Sequence, residues 1–200
     1  MTQRAQVVYD DPEASKYVWG TGFHWYTGDH FENVGLHARA FPDKKLLFTE
    51  GCTWPFSLET LNDWKWGEIY GESLIHDLNN STVGWVDWNI LLNEQGGPNH
   101  VSNFCNAPVI ADTRTGEVYY TSSYYYLGHF SKFIRPGARR IICASNNDEL
   151  QATAFINPDG QIALVAMNRT DREIDFRIWI QNKGVQSAVP AHAIATVLIH

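Results

Sequence analysis

Leu46-Leu47-Phe48-Thr49-Glu50 is a short apolar run that ends on a hydroxyl and a carboxylate. A run of this kind, with no polar alternation, marks a strand buried on both faces. Tyr17–Tyr26 (YVWGTGFHWY) before it and Thr82–Leu91 (TVGWVDWNIL) after it have the same texture. Between the first two, His30–Phe41 carries a weakly amphipathic helical pattern, stopped by Pro42-Asp43. Beyond a loop around Pro55, Asn62–Leu78 carries a longer one, with Trp66, Ile69, Tyr70, Ser73 and Leu74 at helical spacing. A loop rich in Gly, Pro and Asn, Asn93–Pro108, leads through a strand-like Val109–Asp112 to a helix over Ser122–Phe133, closed by Pro136-Gly137. Apolar strands recurring at roughly 30 residues, each followed by a helix, predict βα units and a parallel sheet.

From about Arg139 the pattern changes. Leu150–Ile156 and Ile162–Met167 flank Asn157-Pro158-Asp159-Gly160, a hairpin turn by composition. Asp175–Ile180 alternates polar with apolar, and Ala193–Ile199 is a last strand. The tail is therefore antiparallel β, which predicts an α/β domain over residues 1–135 and a β domain over 136–200. A closed eight-stranded α/β barrel takes about 250 residues, and residues 1–135 supply about three βα units. Three units leave unpaired sheet edges, so the chain reads as the C-terminal part of a larger protein. A small doubly wound domain is the alternative, but no Gly-rich phosphate loop follows the first strand.

With 15 Lys and Arg against 22 Asp and Glu, the net charge of −7 offers no basic surface, so a nucleic-acid partner is excluded. Hydrophobic residues at 44% and charged ones at 18% belong to a globular chain rather than a disordered one. No apolar run is long enough for a transmembrane segment, and Met1–Tyr9 has no signal-peptide core. Localisation is left open. The three cysteines, Cys52, Cys105 and Cys143, form neither a disulfide framework nor a metal pair. The aromatic content is high, with 8 Trp, 9 Tyr and 10 Phe, and suits both a core and surfaces that stack on sugar rings.

Functional residues of parallel α/β folds gather at the C-terminal ends of strands. Here those ends are Phe23-His24-Trp25-Tyr26, Thr49-Glu50-Gly51-Cys52 and Trp85-Val86-Asp87-Trp88-Asn89. Strict alternation puts His24 with Tyr26 on one face, and Leu46, Phe48 and Glu50 together on one face. Glu50 is then either an ionisable group at the rim of an apolar tube or a cap for the following loop.

Five motifs resemble glycoside hydrolase family 30, the group that contains glucosylceramidases. They are Gly22–Tyr26 (GFHWY), Leu47–Cys52 (LFTEGC), Val83–Asn89 (VGWVDWN), Leu92–Asn99 (LNEQGGPN) and Tyr126–Ile134 (YLGHFSKFI). The resemblance covers almost the whole chain. It implies strands six to eight of a (β/α)8 TIM barrel, an attached antiparallel β-sandwich, and retaining hydrolysis of a β-glycoside such as a β-glucoside or glycolipid. By resemblance Glu50 is the catalytic nucleophile. His24 and Tyr26 line the sugar pocket, Trp88 packs against the sugar, Asn103 reaches its hydroxyls, and Cys52 shapes the pocket beside the nucleophile. No cofactor and no metal are implied, since both catalytic roles belong to carboxylates.

One departure stands out. The family's acid/base Glu follows an Asn upstream of anything in this sequence, and the Asn93-Glu94 pair lies after strand eight. The chain therefore reads as inactive alone, its partner being the missing N-terminal half of the barrel. A non-catalytic carbohydrate-binding or scaffold remnant is the alternative. Structural roles are expected elsewhere. Asp87 reads as a hydrogen-bond acceptor, Asp29 and Glu59 as solvated loop residues, and Glu72 and Asp77 as a solvated helix face. Trp54, Trp64 and Trp66 line either an entrance or the core. His76, His100 and His129 lack ligand-spaced partners. Asn79-Asn80-Ser81 and Asn168-Arg169-Thr170 fit the glycosylation pattern. The β tail carries no site and is expected to cover the barrel's outer helices. The aglycone is not fixed by these residues.

Overall fold

The computed structural model describes residues 1–200. The chain opens with α1 (Thr2–Tyr9) and α2 (Pro12–Ser15). Asp11 caps the second, its carboxylate accepting from the N–H groups of Glu13 and Ala14. Strands and helices then alternate: β1 (Gly20–His24), α3 (Phe31–Ala40), β2 (Lys45–Glu50), α4 (Trp64–Asn79) and β3 (Thr82–Trp85). Next come β4 (Leu91–Asn93), β5 (Val109–Ala111), β6 (Val118–Tyr120) and α5 (Ser122–Ser131). The tail comprises β7 (Arg139–Ile141), β8 (Leu150–Ile156), β9 (Ile162–Asn168), β10 (Ile174–Ile180), β11 (Lys183–Val189) and β12 (Ala193–Ile199). Packing divides the chain into two compact units, Met1–Cys52 with His76–Ile90, and Thr53–Ile75 with Leu91–His200.

The first unit is built on a parallel sheet of order β1-β2-β3. Helix α3 buries Val34, Gly35 and His37 and ends at Phe41, before Pro42. His37 Nε2 lies 3.1 Å from Thr21 Oγ1, which also meets the Tyr9 hydroxyl at 2.6 Å. Thr21 therefore looks toward the helix layer. Its register partner Leu46, and the next-but-one pair Phe23 and Phe48, share that face. Leu46 and Phe48 are fully buried, and the Phe48 ring stacks on Trp85 at 4.2 Å while Phe23 and Trp25 meet its edge.

Glu50 does not share that face. Phe23 pairs with Phe48 but His24 pairs with Glu50, so Thr49 is an extra residue in β2. This β-bulge turns Glu50 away from Leu46 and Phe48 and onto the side of His24. The strict alternation expected for residues 46–50 is thereby corrected. The run at 82–91 is corrected too. It is strand only to Trp85, resumes as β4, and leaves 86–90 irregular. Tyr17 and Trp19 are exposed, so the first strand starts at Gly20.

The second unit holds three sheets. Two belong to the tail: a four-stranded antiparallel sheet of order β12-β9-β8-β7, and the pair β10-β11. Their facing side chains form one core around Leu150, Ala166, Ile174 and Val189. The β8–β9 turn closes as its composition requires, with Gly160 at φ +88° and its N–H donating to the Asn157 carbonyl at 2.9 Å. A small mixed sheet, β4-β5-β6, precedes α5. The sandwich packs against the helices of this unit. A Cβ at Gly67 would collide with the Tyr126 ring of α5, and one at Gly71 would meet Met167 Sδ of β9. The short strands β6 and β7, β11, and the helices α1 and α2 have no counterpart in the periodicity.

Candidate active site

β1 ends on His24 and β2 ends on Glu50, and two residues beyond each strand come Tyr26 and Cys52. The bulge brings these four side chains together. The Tyr26 hydroxyl donates to Glu50 Oε1 at 3.3 Å and to Cys52 Sγ at 3.6 Å. His24 Nδ1 lies 3.9 Å from the same carboxylate oxygen, and the His24 and Tyr26 rings meet edge to face at 5.8 Å. The Glu50 side chain is 37% exposed, open enough for a ligand to reach. Cys52, by contrast, is buried. Burial, the Cys52 sulfur and the Glu50 charge together hold the Tyr26 phenol far above its ordinary pKa. Tyr26 is thus a fixed O–H donor.

The backbone around Glu50 is braced from below. A Cβ at Gly51 would stand 2.8 Å from the Phe48 ring and 2.9 Å from the Trp25 ring, so this position leaves room only for hydrogen. The Trp88 N–H donates to the Gly51 carbonyl at 3.1 Å and to Asp87 Oδ1 at 2.9 Å. Half-buried Trp88 is therefore tied to the segment that carries Glu50, and Asp87 is the expected structural acceptor. Asn103 is placed in the second unit, on an exposed loop where its N–H donates to Asn99 Oδ1 at 3.2 Å. Beside β1 runs a groove of about 800 Å³ lined by Gly20, Gly22, His24 and Tyr26, with Arg4 and Tyr9 opposite. A carboxylate held by a phenol donor beside an imidazole can bond to an electrophilic carbon or stabilise a cation there.

Several background expectations change. Asp77 is buried rather than solvated, and Glu72 pairs with Arg169. Asn168 is completely buried, its amide donating to three carbonyls, so the second glycosylation pattern has no accessible acceptor. Trp64 stacks on His192 at 4.6 Å, while Trp54 is exposed. An ion cluster in the second unit was invisible to spacing. His192 bridges Glu68 and Asp171 at 2.8 Å each, although it lies 124 residues from Glu68. No group of three His, Cys, Asp or Glu side chains is placed to hold a metal, and no helix is long and apolar enough to cross a membrane.

Comparison with known proteins identifies the family. Residues 1–134 match the glycosyl hydrolase family 30 TIM-barrel domain, and residues 137–197 match the family's beta sandwich domain. The chain is 37% identical to lysosomal acid glucosylceramidase of Mus musculus, over 97% of its own length and 39% of the relative's. It is 33% identical to putative glucosylceramidase 3 of Caenorhabditis elegans, over 97% and 38%. Among solved structures, SrfJ from Salmonella typhimurium superimposes with a TM-score of 0.94 at 36% identity, covering 98% of this chain and 44% of that one. The endo-beta1,6-glucanase BT3312 gives a TM-score of 0.86 at 26% identity, covering 97% and 44%. The chain thus spans about two fifths of the length of the curated relatives it matches.

Proposed function

Because the chain belongs to glycosyl hydrolase family 30, we propose that Glu50 is the nucleophile of a retaining β-glycosidase acting on β-glucosides. The three parallel strands β1, β2 and β3 would be strands six to eight of a TIM barrel, with the sandwich beginning near residue 136. One observation carries the assignment: Glu50 shares a face with His24 and accepts the Tyr26 hydroxyl at 3.3 Å. The glucosylceramidase relatives support a glucoside, with ceramide or a second sugar as the aglycone.

In this mechanism Glu50 attacks the anomeric carbon as the bond to the aglycone oxygen breaks, giving a glycosyl ester. A second carboxylic acid protonates the leaving oxygen, then takes a proton from the water that cleaves the ester. Tyr26 holds the Glu50 carboxylate in line through its fixed O–H. His24 and Trp88 bind the sugar, and Cys52 packs beside the nucleophile. We place the acid/base outside residues 1–200. Without it the leaving group departs unprotonated, a loss of order a hundred- to ten-thousandfold. The 200-residue polypeptide alone should therefore leave an aryl β-glucoside intact, and robust turnover would reveal an acid/base within it.

Azide rescue tests the nucleophile. In the protein carrying all barrel strands, Glu50→Ala should abolish hydrolysis, and added azide should restore consumption of an activated aryl β-glucoside with an α-glycosyl azide as product. Unimpaired hydrolysis by Glu50→Ala would reject the role and favour a carbohydrate-binding remnant.

A further inference from the structure

Parallel strand pairs rarely carry β-bulges, yet one lies at the residue before Glu50. Up to Phe23 and Phe48 the register of β1 and β2 is regular. Had it continued, position 49 would pair with His24 and Glu50 would fall back onto the face of Phe48. On that face the Phe23, Trp25 and Trp85 rings surround Phe48, an apolar setting that penalises a carboxylate. The extra residue instead sets Thr49 and Glu50 successively on the His24 side.

Two contacts hold the bulge. The Thr49 hydroxyl donates to the Phe23 carbonyl of the neighbouring strand at 3.4 Å. Its methyl fills the space over Gly22, where a Cβ would come within 3.0 Å of Thr49 Cγ2 and 3.2 Å of Oγ1. Gly22 is thus the residue whose missing side chain accommodates the bulge. We propose that Thr49 is a positioning residue that, seated over Gly22 and tied to the Phe23 carbonyl, turns the Glu50 carboxylate toward the bound glycoside. This rests on Glu50 being the nucleophile. Thr49 does not touch the reacting atoms. It acts through the direction in which Glu50 leaves the strand.

The test uses the protein carrying all barrel strands and an aryl β-glucoside with a good leaving group, and separates kcat from KM. Gly22→Ala should push Thr49 and Glu50 aside and lower kcat about tenfold with KM within about twofold, since a 1 Å misplacement costs on the order of a hundredfold. Thr49→Ser keeps the hydroxyl and removes Cγ2. Alone it should be close to wild type, and combined with Gly22→Ala it should recover most of the lost kcat. Thr49→Val keeps the shape, loses the bond to Phe23, and should lower kcat in the same way, so the test survives if Gly22→Ala fails to fold. Wild-type kcat in both Gly22→Ala and Thr49→Val, or no recovery in the double variant, overturns the positioning role. A parallel incubation of the wild type with a fluoroglycoside inactivator separates the two failures. If wild-type Glu50 is labelled while the variants turn over normally, the bulge is at fault. If wild-type Glu50 is not labelled, the nucleophile assignment fails and the proposal with it.

Discussion

Removing the Asn168 amide should cost more stability than any change at the candidate site. Asn168 is fully buried at the end of β9. Its two Nδ2 hydrogens are shared among the carbonyls of Arg172, Val189 and Pro190, at 2.6, 3.2 and 2.9 Å. Its Oδ1 accepts from the Thr170 N–H and hydroxyl at 2.9 and 2.7 Å. Asn168→Ala orphans several of these groups at once. Each bond is worth about 1 kcal/mol net and each stranded buried group costs about 1–3 kcal/mol, so a loss of about 3–5 kcal/mol is expected after partial relaxation. Against a total of about 5–15 kcal/mol for a domain, that is a large fraction. Asn168→Asp keeps the shape but sets carboxylate oxygens against three carbonyls, and should be at least as damaging. Urea denaturation followed by tryptophan fluorescence reads the effect. With a slope of about 2 kcal/mol/M, the midpoint should fall by about 2 M. A fall of less than about 0.5 M for Asn168→Ala, or an Asp variant as stable as wild type, would refute the claim that this amide organises the β9–β10 and β11–β12 connections.

Three further outcomes are expected. Hydrogen bonds to Asp171 and Glu68 raise the His192 pKa above its ordinary value. The folded protein therefore binds that proton more tightly than the unfolded chain. The added stability is fully present below pH ~6.5 and is lost as pH rises through the folded value. Denaturation midpoints measured across this range should fall with rising pH, and His192→Gln should flatten that slope; an unchanged slope contradicts the assignment. Tyr26→Phe removes the hydroxyl from Glu50 and Cys52, so kcat/KM for an aryl β-glucoside should fall about tenfold, the equivalent of about 1.4 kcal/mol. A wild-type value would mean that Tyr26 does not hold the carboxylate. Gly67→Val, by driving two methyls into the Tyr126 ring, should destabilise the second unit by about 1–3 kcal/mol in the same urea assay, as overpacking does. An unshifted midpoint would mean that α4 and α5 can separate without cost.

The alternation of apolar strand and helix made the parallel unit legible in the sequence, because buried strands such as Leu46–Glu50 have no polar face to disguise. The Asn157–Gly160 turn was equally clear, since its residues state the turn chemistry. What escaped has a common cause. The bulge at Thr49 depends on how β2 lies against β1, and nothing within Leu46–Glu50 alone announces an extra residue. Position-by-position alternation therefore placed Glu50 on the wrong face. Asp77 looked like part of a solvated stripe because helix periodicity says nothing about what packs outside it. The His192 cluster joins residues more than a hundred positions apart, and the Asn168-Arg169-Thr170 pattern says nothing of the strands that bury Asn168. Short edge strands such as β6 and β7 are set by their neighbours rather than by their own periodicity.

Covalent trapping addresses the nucleophile most directly. The protein carrying all barrel strands is incubated with a 2-deoxy-2-fluoro-β-glucosyl fluoride, digested, and its peptides mapped by mass. A retaining enzyme with Glu50 as nucleophile accumulates one fluoroglucosyl ester, on the peptide spanning Thr49-Glu50-Gly51, with loss of activity in step. A label on a different carboxylate, or full inactivation with residue 50 unmodified, would contradict it.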